Sequence, residues 1–185
     1  MNALPLTQTL RIAVGIDFSE ASLTALVFAK GLAKKMDMGL DLVHVCDPST
    51  FRPSFPYKDL PRLEDWLHQN FSEIRHQSCR RLVHLADGSG AVAEEPQSDP
   101  AFELSADGHI VFETDRVHHE NRDRSHFLEG NPARRLLAFC EDNACHMLVI
   151  GAHGHQKHGG IGQVARALIR DGRLPVVIAR EPVPS

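Results

Sequence analysis

The chain has 185 residues and a formal net charge of −4 at neutral pH, a length that suits one domain able to bury its core without disulfide or metal staples. It lacks the basic stretch that a nucleic-acid face requires and any apolar run near the ~20 residues that cross a membrane. Met1 to Arg11 has no charged-then-apolar leader pattern, so the expectation is a soluble cytoplasmic protein with neither nucleic acid nor membrane as partner.

Leu10 to Asp17 (LRIAVGID) is a short apolar run and predicts a buried strand. Ser19 then offers a helix N-cap. Ser22, Ala25, Leu26, Ala29, Leu32, Ala33 and Met36 follow at helical spacing, predicting an amphipathic helix that Gly39 should end. Leu40 to Cys46 (LDLVHVC) predicts a second buried strand, broken by Asp47-Pro48. After a Pro-bearing loop over 49–60, a second helix is expected from about Pro61 to Ala86. Leu63, Leu67, Phe71, Ile74, Leu82 and Leu85 form its apolar stripe.

Residues 87–101 are small, acidic and proline-bearing, and read as a linker. Phe102 to Thr114 predicts a hairpin turning at Asp107-Gly108. Residues 115–126 are almost wholly charged or histidine, which predicts a solvated excursion. Residues 87–126 together form an insertion after the second helix, where a protein partner would dock. Regular structure is expected to resume at Phe127, with Asn131 capping a helix and Pro132 at its first position. Ala133, Leu136, Leu137 and Cys140 give that helix its buried face. His146 to Ile150 (HMLVI) predicts another buried strand. Ile161, Val164, Ala165 and Leu168 mark a helix ending at Gly172, and Leu174 to Ala179 (LPVVIA) a last strand. Ile110 to Thr114 and His126 to Glu129 both qualify as the remaining sheet strand.

Strand–helix alternation with continuous apolar strands predicts an α/β fold, a parallel sheet with helices on both faces. Right-handed crossovers gather the strand C-termini, with Asp17, Cys46 and Gly151, along one edge, the usual ligand crevice of open α/β sheets. There the segment GAHGHQKHGGIGQVARAL carries Gly151, Gly154, Gly159, Gly160 and Gly162 between a strand and a helix. Glycines allow close backbone approach to a phosphate, and a helix N-terminus offers N–H donors. His153, His155, Lys157 and His158 could add donors. No Walker A Gly-Lys-Ser/Thr occurs. Gly160 to Ala165 fits G-x-G-x-x-A, but nine residues separate Ile150 from Gly160, whereas the dinucleotide fingerprint turns directly after its strand.

Several blocks together resemble the universal stress protein family: Ile12 to Ser19 (IAVGIDFS), Leu42 to Val45 followed by Asp47, Gly130-Asn131-Pro132, Val149 to Gly154 (VIGAHG) and Leu174 to Ala179. The resemblance covers roughly residues 10–48 and 127–180. It implies a five-stranded parallel sheet of adenine-nucleotide α-hydrolase type in one domain spanning residues 1–185. It also implies a homodimer paired through the last strand, Leu174 to Ala179, and a regulatory role in stress response. In ATP-binding members the motif is Gly, two residues, Gly, nine residues, then Gly-Ser/Thr. Carried over, Gly151 and Gly154 match the first pair. Gly162 and Gln163 stand at the second, with seven intervening residues and Gln in place of the hydroxyl. Val164 follows in the same helix start. Asp17 corresponds to the acidic residue near the nucleoside, and Val45 to a backbone contact with adenine. The implied cofactor is ATP with Mg²⁺.

No nucleophile–base pattern such as Gly-x-Ser-x-Gly or His-Glu-x-x-His is present, so hydrolysis of ATP would be slow at most. Two further readings stay open. One is a dimeric interaction module that binds no nucleotide. The other is a metal-responsive protein using His153, His155 and His158, or His118, His119 and His126. No metal ligands are assigned, because no helical spacing fixes them. His44, on a buried strand, reads as a satisfied structural histidine. None of the four cysteines forms a Cys-x-x-Cys pair, and Cys46 and Cys140 read as buried thiols.

Overall fold

The computed structural model describes residues 10–47, 77–82, 85, 102–104, 110–112, 123–154 and 160–180. In chain order the elements begin with β1 (Arg11–Gly15), α1 (Glu20–Met36) and β2 (Gly39–Cys46). Residues 77–82 are helical (α2); the rest of the helix expected from Pro61, residue 85 apart, lies outside the described residues. Then come β3 (Phe102–Leu104), β4 (Ile110–Phe112), β5 (Arg124–Glu129), α3 (Pro132–Asp142), β6 (Met147–Gly151), α4 (Gln163–Asp171) and β7 (Val176–Ala179).

Five strands form one all-parallel sheet in the order β5-β2-β1-β6-β7. The remaining strand is thus Arg124–Glu129. Ile110–Phe112 instead pairs antiparallel with Phe102–Leu104 as a separate hairpin, and the expected turn at Asp107-Gly108 lies outside the described residues.

Alternate residues of each central strand face opposite sides, so each side needs its own helices. Ile12, Val14, Leu40, Leu42, Phe127 and Val149 pack on one face with Ala25, Leu26 and Ala29 of α1 and with Cys79 and Leu82 of α2. Ala13, Val43, Leu128, Leu148 and Ile150 pack on the other with Leu136, Leu137 and Cys140 of α3 and with Ala165 and Leu168 of α4. Each fully buried Leu or Ile contributes roughly 1.5–3 kcal/mol relative to exposure.

Local signals set the helix ends. Ser19, in extended conformation, accepts the Ser22 N–H and starts α1. Asn131 does the same for α3 through the Arg134 N–H, with Pro132 next. Gly172, at φ 67°, closes α4. Two expectations are corrected. Asp37 at φ 55°, not Gly39, ends α1, and Gly39 is already the first residue of β2. Met36 is half exposed rather than on the buried face, while Ala33 in the same last turn stays in the core.

β5 starts at Arg124, three residues before Phe127, and its Ser125 and His126 are polar yet buried. His126 therefore belongs to the sheet and not to the solvated excursion. Its Nε2 donates to Asp41 Oδ1 at 2.9 Å. Arg11 donates to both Asp41 oxygens, at 2.5 and 2.9 Å, and to the Leu40 carbonyl at 2.8 Å. This buried Arg11–Asp41–His126 layer ties β1, β2 and β5 together. Burial alone would raise the Asp41 carboxyl, but hydrogen bonds from His126 and Arg11 outweigh it and hold it below the usual value.

Candidate functional site

β1 and β6 are neighbours whose following helices leave on opposite faces, α1 on one and α4 on the other. The crevice between their C-terminal ends is the switch point at which open α/β sheets place ligands. Three of the expected residues meet there. Gly151 ends β6 and Asp17 follows β1. A Cβ built on Gly154 would lie 2.6 Å from Asp17 Oδ2, so that backbone lies directly against the carboxylate. Asp17 is fixed from the other side, since its Oδ1 accepts the Ser19 N–H at 3.0 Å and the Ser19 hydroxyl at 2.5 Å. That hydroxyl also accepts the Ser22 N–H. Asp17 and the cap of α1 are one hydrogen-bonded unit.

The glycines divide their work. A Cβ on Gly151 would meet the Ala21 backbone at 2.6 Å, so this glycine lets the first turn of α1 press on the end of β6. Gly162 is the N-cap of α4, and its N–H donates to the Ala152 carbonyl at 2.8 Å. That N–H is taken, and the donors at this end are those of the following turn. Gln163 and Val164 are the first two residues of α4, which has no side-chain cap and no acidic residue in its first turn. Gln163 is exposed. Val164, Ile161 and Val45 each pack against the apolar cluster beneath α3 and α4. His155, Lys157 and His158 lie outside the described residues, and among the described residues no group of three metal-ligating side chains assembles.

A cluster that no motif announces lies on the other side of Asp17. Phe18 has φ 63°, a strained conformation for a bulky residue. Its ring lies 4.7 Å from His44, with Phe127 behind at 5.7 Å. The Arg81 guanidinium sits 3.9 Å over the Phe18 ring. His44 Nδ1 is 2.7 Å from the Ile16 carbonyl, which makes it the donor and bears out the structural role expected of it. Burial lowers the His44 pKa, with Arg81 adding to the effect, while the Ile16 carbonyl and Asp17 oppose it. Phe18 and Arg81 meet only through the fold, and no spacing in the sequence links them.

A cavity of about 280 Å³, bordered by His126, Arg135, Phe139 and Asn143, lies between β5 and α3. None of the crevice residues lines it. The helix termini and the Asp17–Gly154 contact converge on the crevice, which is therefore the candidate site.

Residues 9–180 match the model of the universal stress protein family. Universal stress protein MJ0531 of Methanocaldococcus jannaschii is 23% identical over 176 residues, covering 93% of this chain and 82% of that protein. Among solved structures, the hypothetical protein MJ0577 superposes with a TM-score of 0.65 at 15% identity, covering 94% of this chain and 97% of its own. UspA from Lactobacillus plantarum superposes at 0.59 with 16% identity, covering 94% and 99%. At such identities the structures establish the shared Rossmann-like fold. With the family model matched across nearly the whole sequence, the chain belongs to the universal stress protein family.

Proposed function

We propose that this protein binds an adenine nucleotide across the crevice between β1 and β6 and acts as a cytoplasmic regulatory homodimer in stress response. The observation that carries the reading is the Asp17 carboxylate held against the Gly154 backbone, between the starts of α1 and α4. Asp17 accepts the ribose hydroxyls, Val45 borders the base, and the first-turn N–H groups of α4 face the phosphates, with Mg²⁺ as their counter-ion. A universal stress protein in complex with cAMP has this fold, with a TM-score of 0.51 and 17% identity, covering 93% of this chain and 97% of its own. That supports an adenine nucleotide as the ligand class.

Calorimetry with ATP and Mg²⁺ tests the reading. At a hundred times Kd, ligand stabilises the fold by about 2.7 kcal/mol, a rise in Tm of about 5–11 °C for a chain of this size. Asp17→Ala should remove most of the heat. Absence of heat and an unmoved Tm at saturating ATP would reject nucleotide binding.

Dimerisation is proposed through β7, an edge strand with no charged residue. Such an edge invites pairing. The Leu148 N–H donates to the Pro175 carbonyl, and the Ala152 N–H to the Ala179 carbonyl. In a parallel ladder the backbone groups of alternate residues point the same way. Pro175, Val177 and Ala179 thus serve β6, while Val176 and Ile178 direct theirs outward.

A further inference from the structure

The C-terminal turn of α3 brings together two cysteines that helical spacing keeps apart. Residues five apart do not face each other on an α-helix. Here Ala144 takes φ 50°, and the chain folds back so that the Cys145 N–H donates to the Cys140 carbonyl at 2.9 Å. This is the six-to-one bond of a Schellman turn, which sets the residue after the turn against the last helical turn. A bond of this kind holds the two Cα atoms about 5–6.5 Å apart, inside the window that disulfides use. Both side chains enter the same buried cluster. Both are free and buried in the cluster beneath α3 and α4, Cys140 at 2% exposure and Cys145 at 7%.

We infer that Cys140 and Cys145 form a redox-active dithiol, oxidised by a peroxide to a disulfide that locks the end of α3. Cys145, the more exposed, reacts first. Its sulfur, as thiolate, attacks one peroxide oxygen and becomes a sulfenic acid, and the other oxygen leaves as water. The Cys140 sulfur then displaces the sulfenic hydroxyl as a second water and the S–S bond forms. Two thiols lose two electrons and two protons, and one peroxide yields two waters. The neighbouring Cys145 thiol and burial both push the Cys140 thiol up, which slows the step that closes the disulfide. The reaction needs fraying of the exposed Asn143-Ala144 turn, so the pair responds slowly, to sustained oxidant. The disulfide, closing a six-residue loop, should raise Tm by about 4–8 °C.

The test is oxidation of the folded protein by hydrogen peroxide, then unfolding, alkylation and mass analysis. The expected product has lost two hydrogens, takes two alkyl groups instead of four on its four cysteines, and maps the bond to Cys140–Cys145. Sulfinic or sulfonic acid at either residue, or a bond to Cys46 or Cys79, would overturn the inference. A second measurement avoids oxidation. Phenylarsine oxide, which bridges adjacent thiols, should bind the reduced protein at one equivalent and Cys145→Ser at none. Equal uptake by both proteins, or none by the wild type, refutes the pair.

Discussion

Gly151 and Gly154 occupy matching places in one motif, yet their surroundings assign them different tasks. At Gly151 an added methyl would stand 2.6 Å from the Ala21 carbonyl carbon and 2.8 Å from its oxygen, where ordinary contact begins at 3.4 Å. The shortfall of 0.8 Å (3.4 less 2.6) falls on backbone, which no rotamer change relieves. The first turn of α1 must back away from β6, loosening the packing of Ala21, Ala25 and Ala29. Overpacking of this kind costs about 1–3 kcal/mol, a fall in Tm of about 2–12 °C for a chain this size. At Gly154 the obstructing atom is Asp17 Oδ2, the end of an exposed side chain that can swing away. The cost there is the loss of its bonds from the Ser19 N–H and hydroxyl, while the fold stays. Gly151→Ala should therefore lower Tm clearly more than Gly154→Ala. Gly154→Ala should weaken ATP binding at least tenfold with a Tm near wild type. Thermal denaturation and calorimetry on the two variants measure this. A Gly151→Ala protein with wild-type Tm would refute the contact between α1 and β6 as the reason for glycine.

Removing the Asp41 carboxylate leaves Arg11 buried beside it without its main partner, so Asp41→Ala should cost about 3–5 kcal/mol in urea unfolding. Because the folded pKa of Asp41 lies below its unfolded value near 3.8, its contribution is full above that pH and is lost as pH falls through the folded value. His44 gives the same proton balance at milder pH. Its folded pKa is below 6.5, so the unfolded chain takes up protons first and stability declines as pH falls below 6.5. His44→Asn, which keeps a donor for Ile16, should flatten that decline in urea midpoints between pH 7 and 5 (about one unit either side of the reference value). For the dimer, Ile178→Pro should yield a folded monomer by light scattering. Val177→Pro, which removes a bond to β6, should unfold the sheet, and a dimer surviving Ile178→Pro would rule out pairing through this edge.

The architecture was legible because β1, β2 and β6 are largely buried on both faces and read as short runs dominated by apolar residues. The cap at Asn131-Pro132 was legible because its chemistry is local. β5 was obscured in its first half, where Ser125 and His126 are polar and still buried. His126 is held by Asp41, far away in the chain, and no window of sequence carries that information. Within the site, the positions of Asp17, Gly151 and Gly154 were readable from their places after strands. The division of labour among the glycines was not, because it depends on how close α1 and Asp17 approach. Phe18 in a left-handed conformation and the meeting of Cys140 with Cys145 arise from backbone turns that residue type alone does not dictate.

If the proposed function holds, charge decides which way a nucleotide would lie in the crevice. Asp17 is a carboxylate, and a phosphate beside it would meet repulsion. The start of α1 is no better for an anion, since Ser19 already fills its capping role and Glu20 stands in its first turn. The start of α4 is the complement: a glycine cap, no side-chain bond to its N–H groups and no acidic residue in its first turn. A helix N-terminus with no capping side chain carries about half a positive charge. Under the proposed function, the phosphates would therefore belong at Gln163 and Val164, and the ribose hydroxyls, which can donate, at Asp17. The same polarity accounts for what Gln163 changes. A hydroxyl at that position would sit close to the helix end, whereas the Gln amide reaches farther and donates from its NH₂. The α4 backbone then carries most of the phosphate binding, so Gln163→Ala should weaken ATP less than Asp17→Ala does.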